Sequence, residues 1–205
     1  MSFPNSKQQL GFATIHLADT DQVFQSEAQD TVLRAALRSG IGFPYECNSG
    51  GCGNCMYQLL SGEVDEIWPQ APGLNEKARE RGRRLACQTI ARGDCQIKVR
   101  QGEKYLPSIS PRRYSAVLQD VRRVTDDMSE FTLKSDSAAQ FLPGQFALLS
   151  LPGVTADRAY SMSNTANSEG CWKFIIKRFL GGQGSHALFE SMKIGDEVEL
   201  DGPYG

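Results

Sequence analysis

The sequence predicts an α+β domain of about 100 residues, followed by an all-β barrel or sandwich. Three observations carry this. The first part alternates strand-like runs with one amphipathic helix and a glycine-rich loop. A segment rich in proline and serine follows, Lys104–Arg113. Beyond it the chain becomes a series of short strand-like runs divided by turn signals such as Pro143-Gly144 and Pro152-Gly153.

Leu10–Leu17 and Val23–Gln25 read as two strands around the turn Asp19-Thr20-Asp21. Asp30 is placed as an N-cap for the helix Thr31–Arg38. Val32, Leu33, Ala36 and Leu37 share one helical face and Arg34 and Arg38 the other, and Gly40 is placed to end the helix. A cysteine- and glycine-rich loop comes next. Met56–Leu60 reads as a strand, Ser61-Gly62-Glu63 as a turn and Leu74–Arg81 as a short helix. In Cys95–Arg100, Cys95, Ile97 and Val99 alternate with Gln96, Lys98 and Arg100, as in a half-buried strand. The later strands are Tyr114–Val124, Met128–Leu133, Gln145–Leu151, Ala159–Ser163, Trp172–Phe179 and Glu197–Leu200, with one helix over Ser185–Met192. The domains are therefore expected at 1–104 and 114–205, with 105–113 as linker.

The chain has 205 residues, 40% apolar and 22% charged, with a net charge of −2. These values describe an ordinary globular chain and give no sign of a nucleic-acid partner. No apolar run approaches the ~20 residues that span a bilayer, so no membrane partner is expected. A monomer is expected.

Cys47, Cys52 and Cys55 form a C-x4-C-x2-C cluster, and Cys87 follows in Leu85-Ala86-Cys87-Gln88. That is the spacing by which a plant-type ferredoxin holds a [2Fe–2S] cluster. Four thiolates complete the tetrahedral sites of two irons, and soft sulfur suits such clusters. Gly50, Gly51 and Gly53 let the backbone curl close to sulfur, and loop amides that point at the cluster would raise its potential. A structural zinc site would usually pair two C-x2-C knuckles, whereas here one triplet precedes a single distant cysteine. A Rieske centre needs two histidine ligands, and His16 and His186 are not beside cysteines. Cysteines used as metal ligands point to a reducing cytoplasm. Cys95 and Cys171 sit in strand-like runs and read as buried small hydrophobes.

A second constellation lies downstream. Arg158-Ala159-Tyr160-Ser161 falls in a strand, and Gly181-Gly182-Gln183-Gly184-Ser185 opens a helix. A glycine-rich turn feeding a helix start is an anion site, and Arg158 can clamp phosphate as a fork. Tyr160 offers a flat face and Ser161 a short donor. Together they could hold a flavin with a pyrophosphate tail. Taken alone they also suit a tight turn, a Ser185 cap and a surface ion pair at Arg158. The loop, Ser185 and Arg158 would suit FAD better than FMN, which carries a single phosphate. The basic run Lys77–Arg84 reads as a solvated helix face, or else as a docking patch close to Cys87.

Six segments carry a resemblance: Phe43-Pro44-Tyr45-Glu46-Cys47, Trp68-Pro69-Gln70-Ala71-Pro72-Gly73-Leu74, Leu85-Ala86-Cys87-Gln88, Leu142-Pro143-Gly144-Gln145-Phe146, Arg158-Ala159-Tyr160-Ser161 and Gly202-Pro203-Tyr204-Gly205. Through them the chain resembles the reductase components of bacterial multicomponent aromatic-ring oxygenases, of the carbazole dioxygenase and toluene monooxygenase type. The resemblance implies a β-grasp ferredoxin domain followed by an antiparallel β-barrel binding FAD. It implies electron flow from NAD(P)H through FAD and the cluster to an oxygenase component or its ferredoxin. By it, Arg158 meets FAD phosphate, Tyr160 packs on the isoalloxazine and Ser161 lies near its reactive edge. Ile175 and Lys177 match a strand lining the adenosine side, and Gln183, Gly184 and Ser185 match the pyrophosphate loop. Gly184 stands where many relatives carry a larger residue, which implies a backbone contact.

The family continues into an NAD-binding domain, and no G-x-G-x-x-G strand–turn–helix occurs here. The expectation is a chain that binds cluster and flavin and is not efficiently reduced by NADH. The competing expectations are a two-domain electron carrier without its own NAD(P)H oxidation, and a barrel used only for docking.

Overall fold

Strand β1, Ala13–Leu17, buries Ala13, Ile15 and Leu17 on one face and pairs antiparallel with β2, Val23–Ser26. These residues belong to a computed structural model that describes residues 12–205. Leu10 and Gly11, expected at the start of the first strand, lie outside the described residues. The chain divides into two units, one ending at Leu106 and one spanning Pro107–Gly205.

In the first unit, α1 (Val32–Arg38) buries Val32, Leu33, Ala35, Ala36 and Leu37. Its cap is Thr31, whose side chain accepts from the Arg34 N–H, and not Asp30. Asp30 is 2% exposed, and its carboxylate pairs with Arg38 at 2.8 Å. A buried carboxylate gains more from a guanidinium fork than from one backbone N–H, which leaves the cap to the next residue. Strands β3 (Met56–Ser61), β5 (Arg83–Leu85) and β7 (Cys95–Lys98) complete a five-stranded sheet of order β2-β1-β7-β3-β5. β1 and β7 run parallel, and the other neighbours are antiparallel. This is a β-grasp arrangement, in which α1 packs against β2 and against the turn at 86–88 that carries Cys87.

The sequence pattern missed β4 (Val64–Glu66) and β6 (Thr89–Ala91), which form a separate two-stranded sheet. The short helix is α2, Glu76–Glu80, capped by the Asn75 side chain on Ala78 N–H. Arg83 and Arg84, placed in the basic run, belong to β5 and not to a helix face.

The second unit is a six-stranded antiparallel sheet of order β11-β10-β13-β8-β9-β12. Its strands are β8 (Arg112–Arg123), β9 (Met128–Ser135), β10 (Phe146–Ser150), β11 (Arg158–Ser161), β12 (Cys171–Lys177) and β13 (Glu197–Tyr204). β8 starts at Arg112, inside the segment expected as linker, because Arg112 and Arg113 pair with Gly202 and Asp201. The Ser163 N–H donates to the Lys173 carbonyl at 2.7 Å and draws the two outer strands together, so the barrel is nearly closed. Trp172, Phe174 and Ile176 point inward from β12 and pack with Leu118, Phe131, Leu133, Leu149 and Leu200. A helical turn α3, Gln183–His186, continues as a wider turn over Ala187–Ser191, burying Ala187 and Leu188 in this core.

Candidate cluster and flavin sites

The cluster loop is pinned at its entry by Phe43, fully buried and edge-on to Tyr57 with ring centroids 6.4 Å apart. The loop then turns through Asn48 (φ +49°), Gly50 (φ +82°) and Gly53 (φ +79°). A Cβ on Gly53 would lie 2.7 Å from the Gly73 carbonyl oxygen, so only glycine fits there. The Gly73 N–H donates to the Gly50 carbonyl at 2.9 Å, so the Pro69–Gly73 stretch lies against the loop.

All four expected thiols are free, and they fall into two neighbouring pairs, Cys47 with Cys52 and Cys55 with Cys87. The Cys55 and Cys87 sulfurs stand 3.3 Å apart, well beyond the ~2.05 Å of a disulfide. Cys47 accepts the N–H groups of Ser49 and Cys52, each at 3.4 Å, and Cys52 accepts that of Asn54 at 3.5 Å. Gln88 Nε2 donates to the Cys87 sulfur at 3.6 Å, and the Gly50 N–H also hydrogen-bonds Cys87. Burial pushes the Cys47 thiol up, but the hydrogen bonds from Ser49 and Cys52 outweigh it and hold it at about 6. Contact with Cys55, against burial, holds the Cys87 thiol down, and the same contact pushes Cys55 up.

Among the described residues, no three His, Cys, Asp or Glu side chains converge as a single metal centre. Two pairs of thiols suit two irons better than one ion. Asn48 adds a second mark: it is 5% exposed and neither of its side-chain polar atoms is hydrogen-bonded. An unpaired buried amide costs about 1–3 kcal/mol. A group of sulfur acceptors beside it would offset that cost for Nδ2. The donor set and the orphaned amide fit a [2Fe–2S] cluster.

Cys95 is buried, its sulfur 3.3 Å from the Gly93 carbonyl and 3.5 Å from that of Glu63. Cys171 is only half-buried at the start of β12. Within the basic run, Arg79 and Arg84 both pair with Glu66, and Arg84 also donates to the Arg79 carbonyl at 3.0 Å. Those two cations tie α2 and β5 to β4. Lys77, Arg81 and Arg83 are exposed.

In the barrel, the fold brings Arg158, Tyr160, Gln183 and Gly184 together. Arg158 and Tyr160 share one face of β11. Arg158 Nη2 donates to Gln183 Oε1 at 3.2 Å. A Cβ on Gly184 would lie 2.8 Å from Arg158 Cγ and 2.9 Å from the Tyr160 hydroxyl. Burial pushes the Tyr160 phenol up, which keeps it a neutral donor. The Ser185 hydroxyl accepts from Phe179 N–H at 3.1 Å and lies within 3.1 Å of the Phe179 and Gly182 carbonyls. It therefore clamps the glycine turn, and the free donors there are backbone N–H groups of the first helical turn. Beside this turn lies a cleft of about 440 Å³ lined by Arg178–Gln183, His186 and Glu190. Ser161 is exposed on the opposite face of β11 from Tyr160. Ile175 and Lys177 lie on the outer face of β12, with Lys177 paired to Asp127 at 3.1 Å. A guanidinium, an aromatic hydroxyl and a cradle that excludes a methyl group fit a pyrophosphate-bearing flavin.

Gly184→Ala is expected to displace Arg158 and Tyr160. Displacing the Arg158 guanidinium should weaken FAD binding by up to the ~1.5–3 kcal/mol of a hydrogen bond to a charged group, or roughly 10- to 150-fold. Titrating flavin-free protein with FAD by fluorescence checks this, and an unchanged Kd would remove the cradle from the flavin site.

Residues 15–92 match the 2Fe-2S iron-sulfur cluster binding domain, and residues 115–205 match the oxidoreductase FAD-binding domain. The two matched parts stand in that order along the chain, and the cofactors of these two domain families are a [2Fe–2S] cluster and FAD. Its similarity to reductase components of multicomponent oxygenases follows at once from its relatives. It is 50% identical over 179 residues to a ferredoxin–NAD(P)(+) reductase of Metapseudomonas resinovorans, covering 85% of this chain and 54% of that protein. It is 42% identical to the ferredoxin–NAD(+) reductase component of the alkene monooxygenase system of Xanthobacter autotrophicus, covering 89% of this chain and 55% of that one. The solved ferredoxin reductase in carbazole 1,9a-dioxygenase superposes with a TM-score of 0.92 at 41% identity, covering 96% of this chain and 62% of that chain. The chain thus spans about half the length of the curated relatives it matches. The expected kinship and the expected order of folds are both borne out.

The sequence pattern did not single out Asn48, Gln88 or the Gly53–Gly73 contact. The position of Gln88 directly after Cys87 was the available signal, but its side chain reaches sulfur only through the turn at 86–88.

Proposed function

We propose that this chain is the flavin and iron–sulfur part of a reductase component serving a multicomponent aromatic-ring oxygenase. In that role it passes on electrons that enter such a reductase from NAD(P)H through an NAD-binding domain, and delivers them to the oxygenase component or its ferredoxin. The observation that carries the proposal is the presence, on one chain, of two thiol pairs formed by the cluster loop and Cys87 and of an Arg158–Tyr160–Gly184 cradle. When bound, FAD exchanges two electrons with a hydride donor and one at a time with the [2Fe–2S] centre.

The residues prepare for this in distinct ways. Cys47, Cys52, Cys55 and Cys87 supply the ligands. The N–H groups of Ser49, Cys52 and Asn54 offset negative charge on sulfur. Arg158 offers a guanidinium to phosphate and is steadied by Gln183 and by the Ala156 carbonyl at 2.8 Å. Tyr160 supplies an aromatic face and hydroxyl, and Gly184 lets backbone approach. Ser185 keeps the glycine turn in shape. Ser161 is assigned to the flavin edge, and Ile175 and Lys177 to the adenosine side. Cytoplasmic residence accords with free cysteines as ligands. Among the described residues, no helix is long and apolar enough to cross a membrane.

The test is electron delivery. Chain loaded with both cofactors and reduced photochemically should reduce the ferredoxin or terminal component of an aromatic-ring oxygenase, followed by absorption in stopped flow. Failure to reduce any such acceptor, with both cofactors present and reduced, would overturn the proposal. Arg158→Ala should weaken FAD retention, since losing a hydrogen bond to a charged group costs about 1.5–3 kcal/mol, or roughly 10- to 150-fold. Equal flavin content in the two proteins after gel filtration would count against the phosphate role.

A further inference from the structure

Most of the N–H donors around the candidate cluster belong to the backbone, from Ser49, Gly50, Cys52 and Asn54. Gln88 differs, because its donor is a side-chain amide, Nε2, 3.6 Å from the Cys87 sulfur. The residue is held at its backbone and along its stem. The Gln88 backbone carbonyl accepts the Ile67 N–H at 2.9 Å, which ties that residue's backbone to the end of β4. Its stem lies against Gly50, where an added Cβ would come within 3.1 Å of Gln88 Cγ. Gly50 holds φ +82°, so both its backbone and its missing side chain make room for the amide. The residue is half-buried, so water competes only partly for Nε2.

We propose that Gln88 is a positioning residue for the cluster: its amide donates to the Cys87 sulfur, orients that ligand and raises the midpoint potential of the centre. The proposal rests on Cys87 being a cluster ligand. A donor at a ligand sulfur is worth more as negative charge on that sulfur grows, so it favours the reduced state over the oxidised one. Removing the donor while keeping the stem lowers the potential. Replacing it with a carboxyl group, held ionised by titrating at alkaline pH, lowers it further, because the carboxylate cannot donate and adds negative charge.

Gln88→Met keeps an unbranched stem of similar length and loses the donor, and Gln88→Glu substitutes an acceptor. The experiment is a redox titration of the full chain followed by electron paramagnetic resonance, with iron counted in the same samples. The expected result is unchanged iron per chain and a midpoint shifted downward in Gln88→Met and further down in Gln88→Glu. A Gln88→Met midpoint equal to that of the unaltered chain overturns the proposal. So does loss of iron from Gln88→Met, which would make Gln88 a scaffold residue. An unaltered chain that binds no [2Fe–2S] centre would instead overturn the ligand assignment. A second measurement needs no variant: with 15N at glutamine side-chain amides, pulsed resonance of the reduced centre should detect a coupled nitrogen, and its absence overturns the proposal.

Discussion

Cys87→Ser is expected to leave the chain nearly free of iron, with its visible cluster absorption lost. Cys55→Ser should do the same, while Cys95→Ser and Cys171→Ser retain full iron. The reason is placement. The Cys55 and Cys87 sulfurs lie 3.3 Å apart at 2% and 3% exposure, on separate segments that meet only in the folded unit. A serine oxygen is a harder ligand than thiolate and sits closer to its Cβ, so it serves iron–sulfur chemistry poorly. With either partner gone, one buried sulfur stands alone opposite a polar hydroxyl, and the pair can no longer complete an iron site. Cys95 faces the carbonyls of Glu63 and Gly93, where a serine hydroxyl would find the same acceptors. Iron per chain and absorption spectra of the four variants decide the matter. Iron retained by Cys87→Ser, or lost from Cys95→Ser, would falsify the ligand set.

What could be read from the sequence followed the range of the interaction. The cysteine spacing was legible because three of the four thiols sit within one loop. The barrel strands were legible because β12 alternates Trp172, Phe174 and Ile176 with outward residues in strict period. β4 and β6 were missed because each spans three residues and their pairing joins Val64–Glu66 to Thr89–Ala91 across the sequence. The cap on α1 moved from Asp30 to Thr31 because Arg38, eight residues on, claims the carboxylate. Within the flavin site, the kinds of residue were visible but not their division of labour. Ser185, expected in the pyrophosphate loop, has its hydroxyl tied to Phe179 and Gly182, while Gly184, expected to offer a backbone contact, packs against Arg158 and Tyr160. The Ser185 contacts are local to the turn and depend on its shape, whereas the Gly184 packing depends on β11 lying against the turn at 181–185, which no local pattern encodes.

The second large effect is expected at Trp172, the centre of the barrel that presents the flavin site. Trp172 is fully buried, and its indole lies 5.0 Å from the Tyr114 ring and 5.3 Å from the Phe141 ring, centroid to centroid. Its Nε1–H donates to Ser135 Oγ at 3.1 Å, which fixes the ring's orientation as well as its burial. Trp172→Ala should destabilise the unit spanning Pro107–Gly205 by about 3–5 kcal/mol, the range for removing a large aromatic from a core. That is a large part of the ~5–15 kcal/mol that keeps a typical domain folded. For a domain of this size each kcal/mol moves the midpoint by roughly 4–8 °C, so the thermal transition of this unit should fall by about 12 °C or more. Trp172→Phe separates the two contributions. It keeps most of the ring contacts and loses the hydrogen bond, and since Ser135 Oγ also reaches the Ser137 carbonyl at 2.8 Å, the loss should stay near ~1 kcal/mol. Because the two units need not unfold together, a single transition is not assumed. Flavin release should therefore be followed alongside circular dichroism. Trp172→Ala should release FAD at the lower midpoint while cluster absorption persists to the temperature seen in the unaltered chain. A Trp172→Ala chain that keeps its flavin to the original temperature would show that this ring does not hold the barrel together.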